Sequence, residues 1–531
     1  MDIHIDDDVI ACNGSHNEIA RIAKKIIGNR IAAARTNGKL LWYVFDGRWK
    51  TDVDAIHVKH ELSTVVLEHF SISMNRERAS QRDYDMQRNE ESTKDDSSDL
   101  AHITARLQEA TFKNNVLKDM LEYFYEPEFI KKLDADRLAH ITARLQDATF
   151  KNNVLQEMLE YFYDPDFMKK LDADPNLLGF NNGVWDLKNG VFRQGHPEDM
   201  VSMSVGFDYN VAVCAESADR VRKYWDTMHP DDNQREYLIH TFARQLYGDS
   251  GQELFHIHAG ANASASNGKT KFFEVMEIAL GDYIRKFGVE MLTSKQRIDP
   301  GRPMPEFATW KGVRIMYCTE PNHDEVLNSG VLKDMTGGEG ITYRLLHSSD
   351  IVRFRPQHKI HIMCNAPPMV DGSDSGVQRR IRKLDYISRF VDADEADAAK
   401  FLFPRDAGLV EAFKADGAMR MEFLRTLLHA FAYAYKFDMP DSLKKTSAMY
   451  LNANDAVAMF VEEHVAASPD SAFLLKEAKE RFKTCEYFNG KLSTIKTDLE
   501  RHLSVRCLEQ SRVKSRGNEN LRGVFKGYKL V

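Results

Sequence analysis

Residues 263–270, Ala-Ser-Ala-Ser-Asn-Gly-Lys-Thr, put a glycine, a lysine and a hydroxyl at the start of an apolar-periodic run, KFFEVMEIAL (271–280). A β-rich run, LFHIHAG (254–260), comes just before them. Strand, tight loop ending in Gly-Lys-[Ser/Thr], then helix is the order in which a chain cradles the phosphates of a nucleotide. Gly268 lets the backbone approach a phosphate. The unpaired N–H groups at the helix start face the anion, and the helix dipole favours negative charge there. Lys269 offers a point charge to the β- and γ-phosphates, and Thr270 a hydroxyl to Mg²⁺. The predicted cofactors are therefore ATP and Mg²⁺, with Ser266, Asn267, Gly268, Lys269 and Thr270 as the binding residues. The usual spacing wants glycine at 263, where this chain has Ala263; the nearest upstream glycine is Gly260. A chance Gly-Lys-Thr opening an ordinary helix is the plain alternative.

Four further segments follow in order. GVRIMYCTEPN (312–322) is a buried-strand run ending in Glu320. A carboxylate at such a strand end can polarise an attacking water or hold Mg²⁺, unless it is simply a surface glutamate. Thr319 precedes it, so one acid stands where two are common. LKDMTGGEGITYRLLHSSDIVRFRP (332–356) holds Lys333, then a Gly-Gly turn, then a hairpin with Arg344, His347, Ser348 and Ser349 near its tip. KIHIMCNAPP (359–368) is a strand that stops at Asn365, whose amide suits a γ-phosphate or its water, or a turn before proline. SGVQRRIRKLDY (375–386) presents Arg379 and Arg380 before another strand. They form a surface basic cluster, or supply an arginine that stabilises transition-state charge on a neighbour's γ-phosphate.

These residues need a scaffold. Strands and helices alternate from 252 to 392, which predicts a mostly parallel sheet in a multidomain α/β chain. Residues 1–74 read as an α/β segment: a helix (NEIARIAKKIIGNRIAAA), an aromatic strand (LLWYVFDGRW, 40–49) and a helix over 54–70. Residues 75–99 form a polar linker. Within 100–174 a helical element occurs twice, at 101–136 and 139–174, with a period of 38 and six differences in 36 positions. Each copy reads as an amphipathic helix and a short second one, a tandem duplication rather than a solenoid. Residues 175–217 are short strands joined by glycine turns. The ATPase unit spans 218–395, a helical region 396–469, and a basic module of two helices and a strand pair 470–531.

At 531 residues and 43% hydrophobic composition the chain is predicted to hold three or four domains. Neither an apolar run of 18 residues nor a basic-then-apolar leader is present, so no membrane association is expected. Six cysteines without a CxxC pair suggest neither a zinc knuckle nor a disulfide framework, and a reducing intracellular setting fits them. The net charge of −8 excludes a uniformly basic nucleic-acid binder, yet residues 476–531 carry fourteen Lys/Arg against seven Asp/Glu. That surplus marks a phosphate-backbone contact or a solvated basic face.

Taken in order, the segments resemble a superfamily 3 helicase, most of all the helicase part of the poxvirus-type primase-helicases of large DNA viruses and phages. Asn267-Gly268-Lys269-Thr270 matches the loop, Glu320 the Walker B position, and Asn365 the sensor. Lys333, Thr336, Gly337, Gly338, Glu339 and Arg344 resemble the K-x-x-T-G-G-[DE]…R segment, and Arg379-Arg380 the arginine-finger region. GFNNGVWDL (179–187) and LWYVFDGRW resemble segments ahead of the ATPase. The likeness covers about 15–75 and 137–465, and the family normally has one copy of the 38-residue element. It implies an AAA+-like core in a ring, usually a homo-hexamer, hydrolysing ATP between subunits during viral or phage genome replication inside a host cell. Lys269, Thr270, Glu320 and Asn365 would act within one subunit, and Arg380, or else Arg379, would come from the next. Arg344, His347 and Lys333 would meet single-stranded or forked DNA, and the C-terminal module would be winged-helix-like. With no primase motif ahead of the helicase segments, a separate primase and polymerase are expected. A DNA-translocating or packaging ATPase and a nucleotide-independent nucleic-acid-binding scaffold remain as alternatives.

Overall fold

The computed structural model describes residues 39–59, 148–249, 251–293, 304–321, 326–344, 351–431, 439–486, 492–513 and 519–531, with Phe488 and scattered positions in 15–36. The expected linker, the first repeat copy and the hairpin tip with His347, Ser348 and Ser349 lie outside the described residues.

The N-terminal segment departs from its sequence reading. Gly28 takes φ +60°, and the chain continues as β1 (Ile31–Thr36), not as more helix. β1 pairs antiparallel with β2 (Lys39–Phe45), which pairs with β3 (Trp49–Asp52). The single strand expected over 40–49 is thus a hairpin, turned at Asp46-Gly47-Arg48 with Gly47 at φ +70°. Asp-Gly between apolar runs is a hairpin signal, and pairing with IAAART outweighed the helix propensity of its alanines. The second repeat copy, described from Ala148, contains the helices Ala148–Phe162 and Phe167–Lys170. Phe167 packs edge-on against Trp49, with ring centroids 4.9 Å apart, which anchors this copy to the small sheet.

β4 (Leu177–Phe180), β5 (Gly183–Asp186) and β6 (Val191–Arg193) form an antiparallel sheet. Helices Ala215–Met228 and Asp232–Gln245 lead from it to the central unit. That unit contains β7 (Phe255–Gly260), β8 (Ile284–Lys286), β9 (Ile315–Thr319), the β10 (Ile341–Arg344)–β11 (Ile351–Phe354) hairpin, β12 (Lys359–Cys364) and β13 (Ile381–Tyr386). The five-stranded sheet runs β13-β7-β12-β9-β8, and every pair in it is parallel. β7 and β12 are buried along their whole length, as expected of a parallel sheet covered on both faces. Trp225 stacks on Phe423 at 5.3 Å and meets Phe272 edge-on, so helices Ala215–Met228, Gly417–Phe431 and Lys269–Leu280 share one core.

A short parallel pair, β14 (Arg389–Val391) and β15 (Leu402–Pro404), precedes the C-terminal helices. The final module has three strands, where the sequence suggested two. β16 (Val465–Leu474) joins β17 (Leu508–Val513) and β18 (Glu519–Leu530) in the order β16-β18-β17. Ala-Ala-Ser-Pro within β16 hides its strand character, and its register shifts between Ala467 and Ala472. Among the described residues no helix is long and apolar enough to cross a membrane.

Candidate nucleotide site

Strand direction determines where the candidate residues gather. The parallel strands β7, β12 and β9 all end at one edge of the sheet, delivering the loop 261–268, Asn365 and Glu320 there. The loop curls back through left-handed backbone at Ala263 (φ +56°), Ser266 (φ +60°) and Gly268 (φ +75°). A Cβ on Gly268 would lie 2.7 Å from Phe390 and 2.8 Å from the Met228 sulfur, so this glycine is required for both space and dihedral. Gly260 is required for close approach, since a Cβ there would meet the Ser264 carbonyl oxygen at 1.9 Å. Ala263 is exposed and occupies the dihedral that the usual glycine would adopt without strain. We expect Ala263→Gly to raise stability by up to about 1 kcal/mol in thermal melts and to leave nucleotide affinity intact. A clear loss of stability would mean that the alanine methyl is packed.

Asn267 locks the loop to the sheet. Its Nδ2 donates to the carbonyls of Tyr386 (3.1 Å) and Ser388 (2.8 Å), just past the end of β13. Its Oδ1 accepts from Lys269 Nζ at 3.2 Å, and the same ammonium donates to Asn365 Oδ1 at 3.3 Å. Two of the three donors of Lys269 are thus spent on amide oxygens. Burial lowers the Lys269 pKa, while Cys364 and Glu320 pull it back up. Glu320 is exposed at φ +51°, with its N–H on the Met363 carbonyl at 2.8 Å. Thr270 is exposed on the first turn of helix Lys269–Leu280. One hydroxyl and one carboxylate, both open to water, suit Mg²⁺, which keeps waters and phosphates as its other ligands. Among the described residues no group of three or more His, Cys, Asp or Glu side chains could hold a metal alone.

The arginines stand elsewhere. They precede β13 at the opposite edge, about 17–20 Å from the Tyr386 end at the rise of a strand. Arg380, favoured from sequence as the residue that reaches a neighbour, is buried and committed within its own chain. Its Nε donates to Thr336 Oγ1 (3.0 Å), its Nη1 to the Gly376 carbonyl (2.9 Å), and its Nη2 lies 2.8 Å from Glu253. Arg379 is 63% exposed and pairs with the same Glu253 at 2.5 Å. Arg379 is therefore the more exposed of the two, a difference that the adjacent pair in the sequence could not reveal. Lys333, expected on nucleic acid, is paired with Asp374 at 2.7 Å. Arg344 lies at the end of β10, opposite Ile351, and its carbonyl accepts from the Met304 N–H at 3.0 Å.

Sequence reasoning missed Glu253 and Asp374. Asp374 had a signal: it precedes a helix and caps it through Gly376 and Val377. Glu253 had none, because only the folded sheet brings the starts of β7 and β13 together.

Comparison with known proteins agrees with the sequence likeness. Residues 20–231 match the family model described as D5 N terminal like. The chain is 34% identical over 390 residues to "Putative helicase L207/L206" of Acanthamoeba polyphaga mimivirus, covering 72% of this chain and 35% of that protein. It is 26% identical over 468 residues to "Putative helicase 022R" of Frog virus 3, covering 75% and 43%. It is also 21% identical over 290 residues to "Putative primase C962R" of African swine fever virus, covering 53% and 29%. The chain thus spans about 29–43% of the length of these relatives. The C-terminal region of NrS-1 overlaps 60% of this chain and 76% of its own, at 11% identity and a TM-score of 0.35. The chain is a primase-helicase-like relative of these large-DNA-virus proteins, with a D5 N-terminal-like region over residues 20–231.

Proposed function

We propose that this chain is the subunit of an ATP-driven superfamily 3 DNA helicase of viral replication, working as a ring with the nucleotide between subunits. One observation carries the reading. Lys269, Asn267, Asn365 and Glu320 meet at one edge of the parallel sheet, while Arg379 stands at the other edge, exposed. An arginine so placed can serve a phosphate only on another subunit. The strand order β13-β7-β12-β9-β8 supports an AAA+-like core, and the helicase and primase names of the relatives support replication as the setting.

In this mechanism the loop N–H groups and Lys269 bind the phosphates. Asn365 passes its lysine contact to the γ-phosphate and orients the attacking water, which Glu320 polarises. Thr270, with Glu320 nearby, would hold Mg²⁺, which would neutralise phosphate charge. Arg379 of the adjacent subunit meets the charge developing on the transferred group. The β10–β11 hairpin, with Arg344 on one strand and Arg353 on the other, grips single-stranded DNA by its backbone, because translocation must ignore sequence. The basic module at 470–531 is assigned to duplex or fork contact.

The test is DNA-stimulated ATP hydrolysis and fork unwinding by the wild type and Glu320→Gln. We expect stimulated turnover and unwinding in the wild type. In the variant, turnover should fall roughly 10²–10³-fold with ATP binding retained. Turnover without strand separation would indicate a translocase, and a folded oligomer without turnover a binding protein.

A further inference from the structure

Lys333 and Thr336 are one turn apart on helix Ser329–Thr336, so both face the same neighbour. That neighbour is the arginine helix, Ser375–Arg380. Asp374 serves both elements: its Oδ1 caps the arginine helix at Gly376 N (2.8 Å) and Val377 N (3.2 Å), and its Oδ2 takes Lys333 Nζ at 2.7 Å. At the other end Thr336 Oγ1 accepts from Arg380 Nε at 3.0 Å while donating to the Leu332 carbonyl at 2.6 Å. Packing between the two helices is close, since a Cβ on Gly376 would lie 3.0 Å from Lys333 Cδ. From the C-terminal module, Arg501 Nη1 donates to the Ser373 carbonyl at 2.7 Å, bracing the same turn.

A helix of six residues does not keep its own direction in water, so these contacts orient it. With Arg380 clamped, the neighbouring Arg379 projects at a set angle, its guanidinium paired with Glu253. We propose that Lys333 and Thr336 are positioning residues that aim Arg379 at the adjacent subunit's nucleotide, and that Lys333 is not a nucleic-acid contact. This rests on the trans-acting arginine of the proposed function. The Lys-x-x-Thr spacing is then the spacing of a two-point clamp. A displaced arginine loses rate without losing ground-state binding, because its partner charge develops only in the transition state.

The experiment compares full-length Lys333→Ala, Thr336→Val, Lys333→Arg and Arg379→Ala, and the Lys333→Ala/Arg379→Ala double variant. It reads kcat and KM for ATP, and single-stranded DNA affinity across salt. We expect Lys333→Ala and Thr336→Val to lower kcat about 10- to 100-fold with KM within about twofold. DNA affinity and its salt slope should not move, Lys333→Arg should recover most of kcat, and the double variant should be no slower than Arg379→Ala. A salt slope reduced by about one in Lys333→Ala would make this lysine a phosphate contact and overturn the proposal. So would a double variant slower than Arg379→Ala, or an unchanged kcat in Lys333→Ala and Thr336→Val while Arg379→Ala is impaired. Full turnover in Arg379→Ala would overturn the trans-arginine reading and the clamp together.

Discussion

Lys269→Ala should abolish nucleotide binding and lower ATP turnover by roughly 10²–10³-fold or more, with little change in melting temperature. The two halves of this outcome have separate causes. Among the described residues the ammonium is the only cation seated between the loop amide Asn267 and the strand-end amide Asn365, at 3.2 and 3.3 Å. Alanine leaves two neutral oxygens facing the place where phosphate charge must be met, with the loop N–H groups left to meet it alone. The fold should tolerate the change because the loop is held by other means. Asn267 keeps its bonds to the Tyr386 and Ser388 carbonyls, and Phe272 and Phe273 keep helix Lys269–Leu280 in the core. Removing a desolvated ammonium also relieves a burial penalty. The checks are nucleotide titration and thermal melts side by side. A Lys269→Ala protein that still turned over ATP would remove the loop from the mechanism.

The legible part of this molecule was the part whose chemistry is local. Gly268-Lys269-Thr270 announces itself because a left-handed glycine, a cation and a helix start must be adjacent to work. The alternation of strands and helices from 252 to 392 gave the parallel sheet, since each crossover must return the chain to the same edge. What pairing distant segments decides was not legible. IAAART has the alanines of a helix and became β1 because KLLWYVF lay opposite it. Arg379 and Arg380 look equivalent in sequence, and only Glu253, Thr336 and the Gly376 carbonyl, contributed by three different segments, separate a buried brace from an exposed reach. Likewise Lys333 reads as a free cation until Asp374 is seen beside it.

The second large effect is acid unfolding, and it comes from the sheet itself. β7 and β12 are buried strands, yet they carry His256, His258 and His361, with His358 just before β12 and His229 nearby, all buried. His361 Nε2 meets Gln245 Oε1 at 2.9 Å, His258 Nε2 meets His361 Nδ1 at 2.8 Å, and His258 Nδ1 meets the Tyr386 hydroxyl at 2.9 Å. This chain closes with neutral rings: Tyr386 donates to His258, His258 to His361, and His361 to Gln245. A proton added at His361 Nδ1 would face the His258 Nε2–H donor, and one added at His258 Nδ1 would require the Tyr386 hydroxyl to turn and accept. Burial, with nearby Arg235, Arg382 and Lys359 adding to it, lowers His229, His256 and His358 to about 3. Burial, with neighbouring histidines adding to it, takes His258 and His361 well below their ordinary value. In the unfolded chain all five would titrate near the ordinary value of about 6.5. Below that pH the unfolded state binds more protons, so stability falls as pH falls; the contribution is complete above about 6.5 and is lost toward 3. Each of the five adds to the fall in the same sense, against a domain stability of about 5–15 kcal/mol. We therefore expect cooperative loss of the central unit near pH 5, with four to five protons taken up, followed by circular dichroism and by tryptophan emission from Trp225 and Trp310. Far-UV signal unchanged down to about pH 4 would mean that these rings accept protons inside the fold, and the neutral chain from Tyr386 to Gln245 would have to be abandoned.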